Sequence, residues 1–135
     1  SGEKASSMEF SSSGLLNWLY AAANEAIDVL PYGVVGMDGD GRVCVYSVYE
    51  SEQAKLAGAD VIGLNFFEQV APCMNNLMVA GRFADAMRAS VPLDATLDYV
   101  LAFRSRITPS RLRLLYSPEM PTHYLLIQRS LKSGS

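Results

Sequence analysis

Cysteine, histidine and tryptophan are scarce in this chain of 135 residues, which has two cysteines, one histidine and one tryptophan. Cys44 and Cys73 show no Cys-x-x-Cys spacing, so neither a disulfide framework nor a cysteine-rich metal site is expected, and a reducing cytoplasm is the expected location. A single histidine, His123, excludes a histidine cluster and leaves one candidate partner for a nucleophile. Because no nucleophile–base pair or nucleotide-binding loop is apparent, we do not expect an enzyme.

Basic stripes and long apolar runs are missing as well. Lysine and arginine number 11 against 14 acidic residues, a net charge of −3, and both signs are spread along the chain. Nucleic-acid binding leaves a basic footprint, and a membrane span needs about 20 apolar residues, so neither partner is expected. The length suits one domain, and the polar ends predict a flexible or added tail at 1–13, a domain at 14–130 and a second tail at 131–135.

The segment Leu15–Leu30 predicts an amphipathic helix ended by Pro31. Its apolar stripe comprises Leu15, Leu19, Ala22, Ala23, Ile27 and Leu30. Such a stripe either covers a sheet or pairs with a second copy of itself. A homodimer through this helix is therefore one expectation.

A β-hairpin is predicted around Asp38–Gly41, since Asp-Gly pairs between β-rich runs are strong hairpin signals. Strict alternation along the second strand places Cys44 and Tyr46 on one face and Val43 and Val45 on the other. On that basis Cys44 is expected to be a packing residue, with a rival thiol at the same site as the alternative.

The rest of the chain predicts short helices, a longer helix and then strands. One helix is expected in 49–57, closed by Gly58, another in 65–70 capped by Asn65, and a longer one over Asn76–Ser90. Three strands are expected in the last third, where His123 is placed on the surface or in a hairpin and the arginines of 104–113 on a solvated face. Strands at both ends of a helical middle indicate an α+β antiparallel sheet.

Two stretches carry a resemblance to a known family. "YGVVGMDGDGRVCVY" at 32–46 and "VIGLNFFEQVAPC" at 61–73 resemble PAS domains of the photoactive yellow protein branch, and the similarity extends over roughly 30–129. The resemblance implies a PAS fold: a five-stranded antiparallel sheet with helices closing one face over a small pocket, preceded here by the N-terminal amphipathic helix.

The resemblance also implies a site. In that family the cysteine of this motif carries 4-hydroxycinnamic acid as a thioester, which corresponds to Cys73 here, and an ungapped count places Tyr46 and Glu50 at the phenolate oxygen. The pocket-lining positions are Phe66 and Phe103, and three that depart from the family: Ala54 for a threonine, Leu56 for an arginine and Ile107 for a methionine. The last change predicts a slower return to the dark state.

Physical chemistry adds an expectation for Glu50. A buried glutamic acid without a cationic partner has a raised pKa and stays protonated, so it donates to a phenolate as the Tyr46 hydroxyl does. The plain alternatives are a surface Glu50, a core Tyr46, and a Cys73 that is buried only as a small apolar residue.

Two functions follow. One is a blue-light sensor with a hydroxycinnamoyl group on Cys73. The other is a chromophore-free PAS signalling module that acts by dimerisation or through another small ligand. Either one implies a downstream effector within a larger regulatory protein.

Overall fold

The structure is a computed structural model that describes residues 8–103 and 106–130, apart from the side chain of Phe103. Its helices are α1 (Leu15–Ala21), α2 (Asn24–Asp28), α3 (Val48–Ala54), α4 (Gly58–Val61) and α5 (Ala80–Ala89), with a π-helical turn at Phe66–Val70 and a 3₁₀ turn at Pro72–Met74. Its strands are β1 (Gly33–Met37), β2 (Val43–Tyr46), β3 (Leu93–Phe103), β4 (Arg106–Tyr116) and β5 (His123–Arg129).

In the described part of the chain, the strands form one five-stranded sheet in the order β2-β1-β5-β4-β3. Each neighbouring pair is antiparallel. The α+β class and the five-stranded antiparallel sheet are confirmed. β1 and β5 pair in the middle of the sheet, so the first and last strands of the sequence are neighbours.

The sheet is covered on both faces. The inner face packs against the π-helical turn, the 3₁₀ turn and α5, and its sheet residues are Val35, Met37, Leu101, Leu112, Leu114, Leu125 and Ile127. The outer face packs against the N-terminal segment, and its sheet residues are Val34, Leu115, Tyr124 and Leu126. Strand alternation therefore divides the core into two clusters.

The N-terminal segment forms two helices where one is predicted, and its stripe takes the first of the two expected roles, that of covering the sheet. The predicted helix is interrupted between α1 and α2, where Ala22 and Ala23 have extended backbone. Its stripe is used within the chain, since Leu15 and Leu19 are buried against the sheet, so those leucines do not form a free dimer surface. Residues 8–13 are part of the fold, because Phe10 is buried in the same cluster.

A β-bulge in the hairpin corrects the face assignment of β2. Met37 pairs with Val43 and Gly36 with Val45, so Cys44 is the extra residue between them. Val43 then joins the inner cluster together with Tyr46, while Val45 packs on the outer face. Cys44 is exposed, and a packing role for it is wrong.

Helix ends follow local rules, but two predicted boundaries differ. Asn65 caps the π-helical turn by accepting from the Glu68 amide, as expected. Helix α3 ends at Lys55 in the left-handed conformation, and Gly58 instead begins α4. Helix α5 starts later than predicted, since the Asn76 side chain caps a turn ahead of it.

Arg113 fastens the N-terminal segment to the outer face. Its guanidinium donates to the carbonyl oxygens of Phe10 and Ser12 at 2.9 and 2.8 Å, and makes a two-pronged contact with Asp94 at 2.9 and 2.8 Å. Arg113 is 6% exposed, so the expectation of a solvated arginine is wrong at this position. Exposed Arg111, on the same strand, lies 5.8 Å from the Phe10 ring centroid.

No helix within the described ranges is long and apolar enough to cross a membrane.

We predict that Arg113→Met lowers the free energy of unfolding by about 2–3 kcal/mol, because two backbone carbonyls and one carboxylate lose a charged donor. Urea denaturation measures the change. The matched control is Arg111→Met, which removes a cation beside an aromatic ring and should lower stability by less than about 1 kcal/mol. Equal losses in the two variants would contradict an anchoring role for Arg113.

Candidate functional site: a cavity at Cys73

The three residues singled out for their chemistry line one cavity under the inner face. Tyr46 lies at the end of β2, Glu50 in the first turn of α3, and Cys73 in the 3₁₀ turn that follows Ala71-Pro72. Ala54, Leu56 and Phe66 line the same cavity, as do Val70, Ala71, Met74, Leu101 and Arg129. The fold therefore brings together a thiol, a phenol and a carboxyl group from separate segments.

Ser47 sets the direction in which Glu50 points. Its buried hydroxyl accepts from the Glu50 amide at 3.3 Å, which caps α3, and from the Val34 amide at 3.0 Å, which holds the cap against β1. The first turn of α3 is thus fixed beside the sheet. Gly33 leaves room for the carboxylate, since a Cβ there would clash with Glu50 Oε1.

Glu50 forms a buried ion pair with Arg129. The carboxylate is 4% exposed, and its two oxygens accept from the two Nη groups of Arg129 at 2.7 and 2.9 Å. Burial raises the pKa of Glu50, while the hydrogen bond and charge of Arg129 oppose the rise. The expectation of a buried acid without a cationic partner is wrong, because this geometry uses both oxygens as acceptors and requires the ionised carboxylate.

Arg129 keeps its proton in this pair. Burial by itself favours the neutral form, but the hydrogen bond and the charge of Glu50 outweigh it and raise the pKa of Arg129. A two-pronged pair with opposite charges is the arrangement that offsets the desolvation of both groups. The cavity therefore has a paired cation and anion along part of its wall.

Tyr46 is a neutral donor beside that pair. Burial and the neighbouring charge of Glu50 raise its pKa, and Arg129 only partly opposes them. Within the described residues its hydroxyl makes no hydrogen bond, and Ala54, at the position of the family's threonine, has no group to offer one. Tyr46 is thus free to donate to a ligand oxygen.

Cys73 is a half-buried thiol on a well-anchored turn. Its carbonyl accepts from the Tyr99 hydroxyl at 2.8 Å and from Asn76 Nδ2 at 3.3 Å. Burial raises the pKa of the thiol, so at neutral pH it is mostly protonated. Such a thiol forms a thioester with an activated acyl donor more readily than with a free acid.

The cavity is small with the side chains in these positions. It measures about 20 Å³ as the space open to the centre of a water molecule, which is room for roughly one water. The groups that line it, a thiol and a phenolic donor, suit a phenol tethered at Cys73. A hydroxycinnamoyl ring needs the lining side chains to move apart.

One predicted lining residue stands away from the cavity, a second falls outside the described side chains, and His123 is not at the surface. Ile107 is 76% exposed on β4 and does not line the cavity, and the side chain of Phe103 lies outside the described residues. His123 is buried and packs against Phe83 with ring centroids 4.8 Å apart, so a surface position for it is wrong. No group of three or more His, Cys, Asp or Glu side chains that could hold a metal occurs in the described ranges.

Arg129 was missed by the sequence reasoning although a signal for it exists. His123, Leu125, Ile127 and Arg129 alternate along β5, so an arginine follows aliphatic residues on the inner face. A cation on a buried strand face needs an acidic partner. Glu50 was expected either as a surface residue or as a buried acid without such a partner.

Known proteins resemble this chain over most of its length. It is 25% identical over 122 residues to the photoactive yellow protein of Rhodothalassium salexigens, with 90% of this chain and 97% of that protein covered. It is 28% identical over 120 residues to the photoactive yellow protein of Cereibacter sphaeroides, with 89% and 95% covered. No family model matches the sequence.

Solved structures show the same fold. The photoactive yellow protein domain of the sensor histidine kinase Ppr from Rhodospirillum centenum matches with a TM-score of 0.76 and 28% identity, covering 83% of this chain and 97% of that one. A PAS domain of an HTR-like protein from Haloarcula marismortui matches with a TM-score of 0.57 and 13% identity, covering 84% and 99%, which shows the fold alone. The PAS fold and the resemblance to the photoactive yellow protein branch are confirmed.

We predict that Gly33→Ala lowers the free energy of unfolding by about 3 kcal/mol, because the added methyl group displaces the Glu50 carboxylate and leaves Arg129 buried without its partner. Urea denaturation measures it. Gly39→Ala is the matched control, since a Cβ at Gly39 meets no atom within 4 Å. Equal stability of the two variants would show that the carboxylate does not occupy the space beside Gly33.

We predict that the free energy of unfolding falls at acidic pH because His123 is buried. Burial lowers its pKa to about 4, with a small opposing effect of Asp38, whereas the unfolded chain has a pKa near 6.5. Between these values the unfolded state binds the extra proton, so stability falls as pH falls, by about 3 kcal/mol from pH 7 to pH 4. Urea denaturation of the wild type and of His123→Phe at both pH values measures the difference. An equally steep loss in the variant would assign the effect to other groups.

Proposed function

We propose that this chain is a blue-light-sensing PAS domain that attaches a 4-hydroxycinnamoyl group as a thioester on Cys73. The observation that carries the proposal is the meeting of Cys73, Tyr46 and Glu50 on one cavity. The relatives support it, since proteins named photoactive yellow protein match 89–90% of this chain. A cytoplasmic location belongs to the proposal, in keeping with the two free thiols.

Attachment needs an activated acyl group. The S–H bond of Cys73 is replaced by an S–C bond to the acyl carbon, the activating group leaves, and the thiol proton passes to solvent base. The raised pKa of Cys73 makes this step faster at mildly alkaline pH, where more thiolate is present.

The bound group supplies a phenol whose anion absorbs visible light and a double bond that isomerises. The residues of the chain act on its phenol end. Tyr46 would donate a hydrogen bond to the phenol oxygen and favour its anion, while the pair of Glu50 and Arg129 would provide an acceptor and a countercharge. Apolar Leu56 and Phe66, which line the same cavity, would keep water away and so strengthen both interactions.

A chromophore-free signalling module is the second candidate. It is favoured by the small volume of the cavity and by a Glu50 that already has a charged partner, since a domain with this interior is complete without a ligand. In either case a downstream effector is the expected partner. One solved relative is a domain of a sensor histidine kinase.

We predict that incubation with 4-hydroxycinnamic anhydride adds one hydroxycinnamoyl group to Cys73 and produces a visible absorption band. Peptide mass spectrometry locates the adduct, and absorption spectra before and after blue light test for reversible bleaching. Cys73→Ala should take up no group within the cavity. Cys44→Ala is the matched control and should give the same adduct on Cys73 and the same visible band as the wild type, because Cys44 is exposed in the bulge and does not line the cavity.

The outcomes separate the two candidates. An adduct on Cys73 with a bleachable visible band supports the light sensor. Absence of an adduct on Cys73, or an adduct that absorbs only as the free phenol does and ignores light, would overturn it in favour of the ligand-free module.

A further inference from the structure

The cavity contains a cation at a place where the sequence did not predict one. The family's arginine position is occupied by Leu56, and the guanidinium on the cavity wall comes from Arg129 at the end of β5. Both charged side chains of the pair are nearly inaccessible to solvent. Any anion that enters therefore meets a guanidinium that already has a partner.

We propose that Arg129 is the anion-recognising group of this cavity: it exchanges Glu50 for the phenolate oxygen of a bound hydroxyaryl ligand, and the phenol proton passes to Glu50. This exchange rests on the proposed function and extends it to a specificity-determining residue. The ligand class is a phenol that enters in its neutral form.

The step conserves charge and protons. Before it, the site holds one guanidinium cation, one carboxylate anion and a neutral phenol. The phenol O–H bond breaks and an O–H bond forms on a Glu50 oxygen, so the site then holds the same cation, a phenolate and a neutral carboxylic acid. One ion pair replaces another, and no unpaired charge is left in a poorly solvated place.

Glu50 is the group suited to take the proton. It is the carboxylate among the described residues that line the cavity, and burial already raises its pKa. The other titratable groups that face the pair are Tyr46, Tyr49 and the thiol of Cys73. Tyr46 already carries its proton, and the sulfur of Cys73 cannot accept a proton once it is acylated.

Steric fit supports the same exchange. The cavity measures only about 20 Å³ when Glu50 and Arg129 are paired. An aromatic ring therefore enters only if lining side chains move apart. Separating Glu50 from Arg129 without a substitute partner is strongly unfavourable, whereas an arriving phenolate replaces the lost contact. Apolar ligands of the same size lack that compensation, which gives the cavity its preference for phenols.

Infrared spectroscopy of the ligand-free protein tests the starting state. We expect no protonated-carboxyl band from Glu50 in the wild type, and a new band in Arg129→Gln that is absent from the double variant Glu50→Gln/Arg129→Gln. A protonated Glu50 in the ligand-free wild type overturns the exchange, because the carboxylate would then not be the partner of Arg129.

Absorption titration of protein loaded with 4-hydroxycinnamic anhydride tests the final state. The pKa of the bound phenol should rise by about 1–3 pH units in Arg129→Gln, because a nearby cation is lost, and by less in Arg129→Lys. Arg82→Gln, an exposed arginine on α5, is the matched control and should leave the pKa unchanged. If Arg129→Gln does not fold, Glu50→Gln/Arg129→Gln is compared with Glu50→Gln.

Failure of the exchange and failure of the proposed function look different. An adduct on Cys73 whose phenol pKa is the same in the wild type and Arg129→Gln overturns the exchange alone. No adduct on Cys73 in any variant overturns the proposed function and the exchange with it. The infrared result on ligand-free protein is obtained in either case.

Discussion

The buried pair of Glu50 and Arg129 is the constraint around which the cavity is organised. A carboxylate in this position is unfavourable unless a charged donor meets it, and Arg129 meets it with two hydrogen bonds. That contact requires a glycine at position 33 and a helix cap from Ser47. It also requires that Arg129, the last residue of β5, point to the inner face of the sheet. Three separate elements are thus arranged to place one carboxylate.

The pair also determines the electrostatics of its neighbours. The negative charge of Glu50 raises the pKa of Tyr46, so the phenol stays a donor, and the positive charge of Arg129 keeps the same region from being net anionic. Cys73 stands at another part of the wall, where burial and not a neighbouring charge raises its pKa. A neutral thiol and a neutral phenol beside a closed ion pair do not react with one another, so the proposed attachment to Cys73 depends on an activated acyl donor.

The sequence predicts the sheet and most elements because they depend on local patterns: the Asp-Gly hairpin, the Asn65 cap and the alternating strands. It misses features that depend on distant contacts. The bulge at Cys44 changes the face on which Val43 lies. Arg113 is buried because it donates to the carbonyl oxygens of Phe10 and Ser12 in the N-terminal segment. Arg129 binds Glu50, which is 79 residues away in the sequence. Spacing from the motif brought Tyr46, Glu50 and Cys73 to one cavity, but did not reveal what the acid would bind.

Packing alone does not account for this interior. A buried ion pair contributes little net stability, and well-packed apolar residues of similar volume are often as stable or more so. In this chain a charged pair, a phenol and a thiol line one cavity. Among the described residues, the hydroxyl of that phenol, Tyr46, has no hydrogen-bond partner. Polar groups held in this way are what a binding site requires, which supports the proposal of a phenolic ligand.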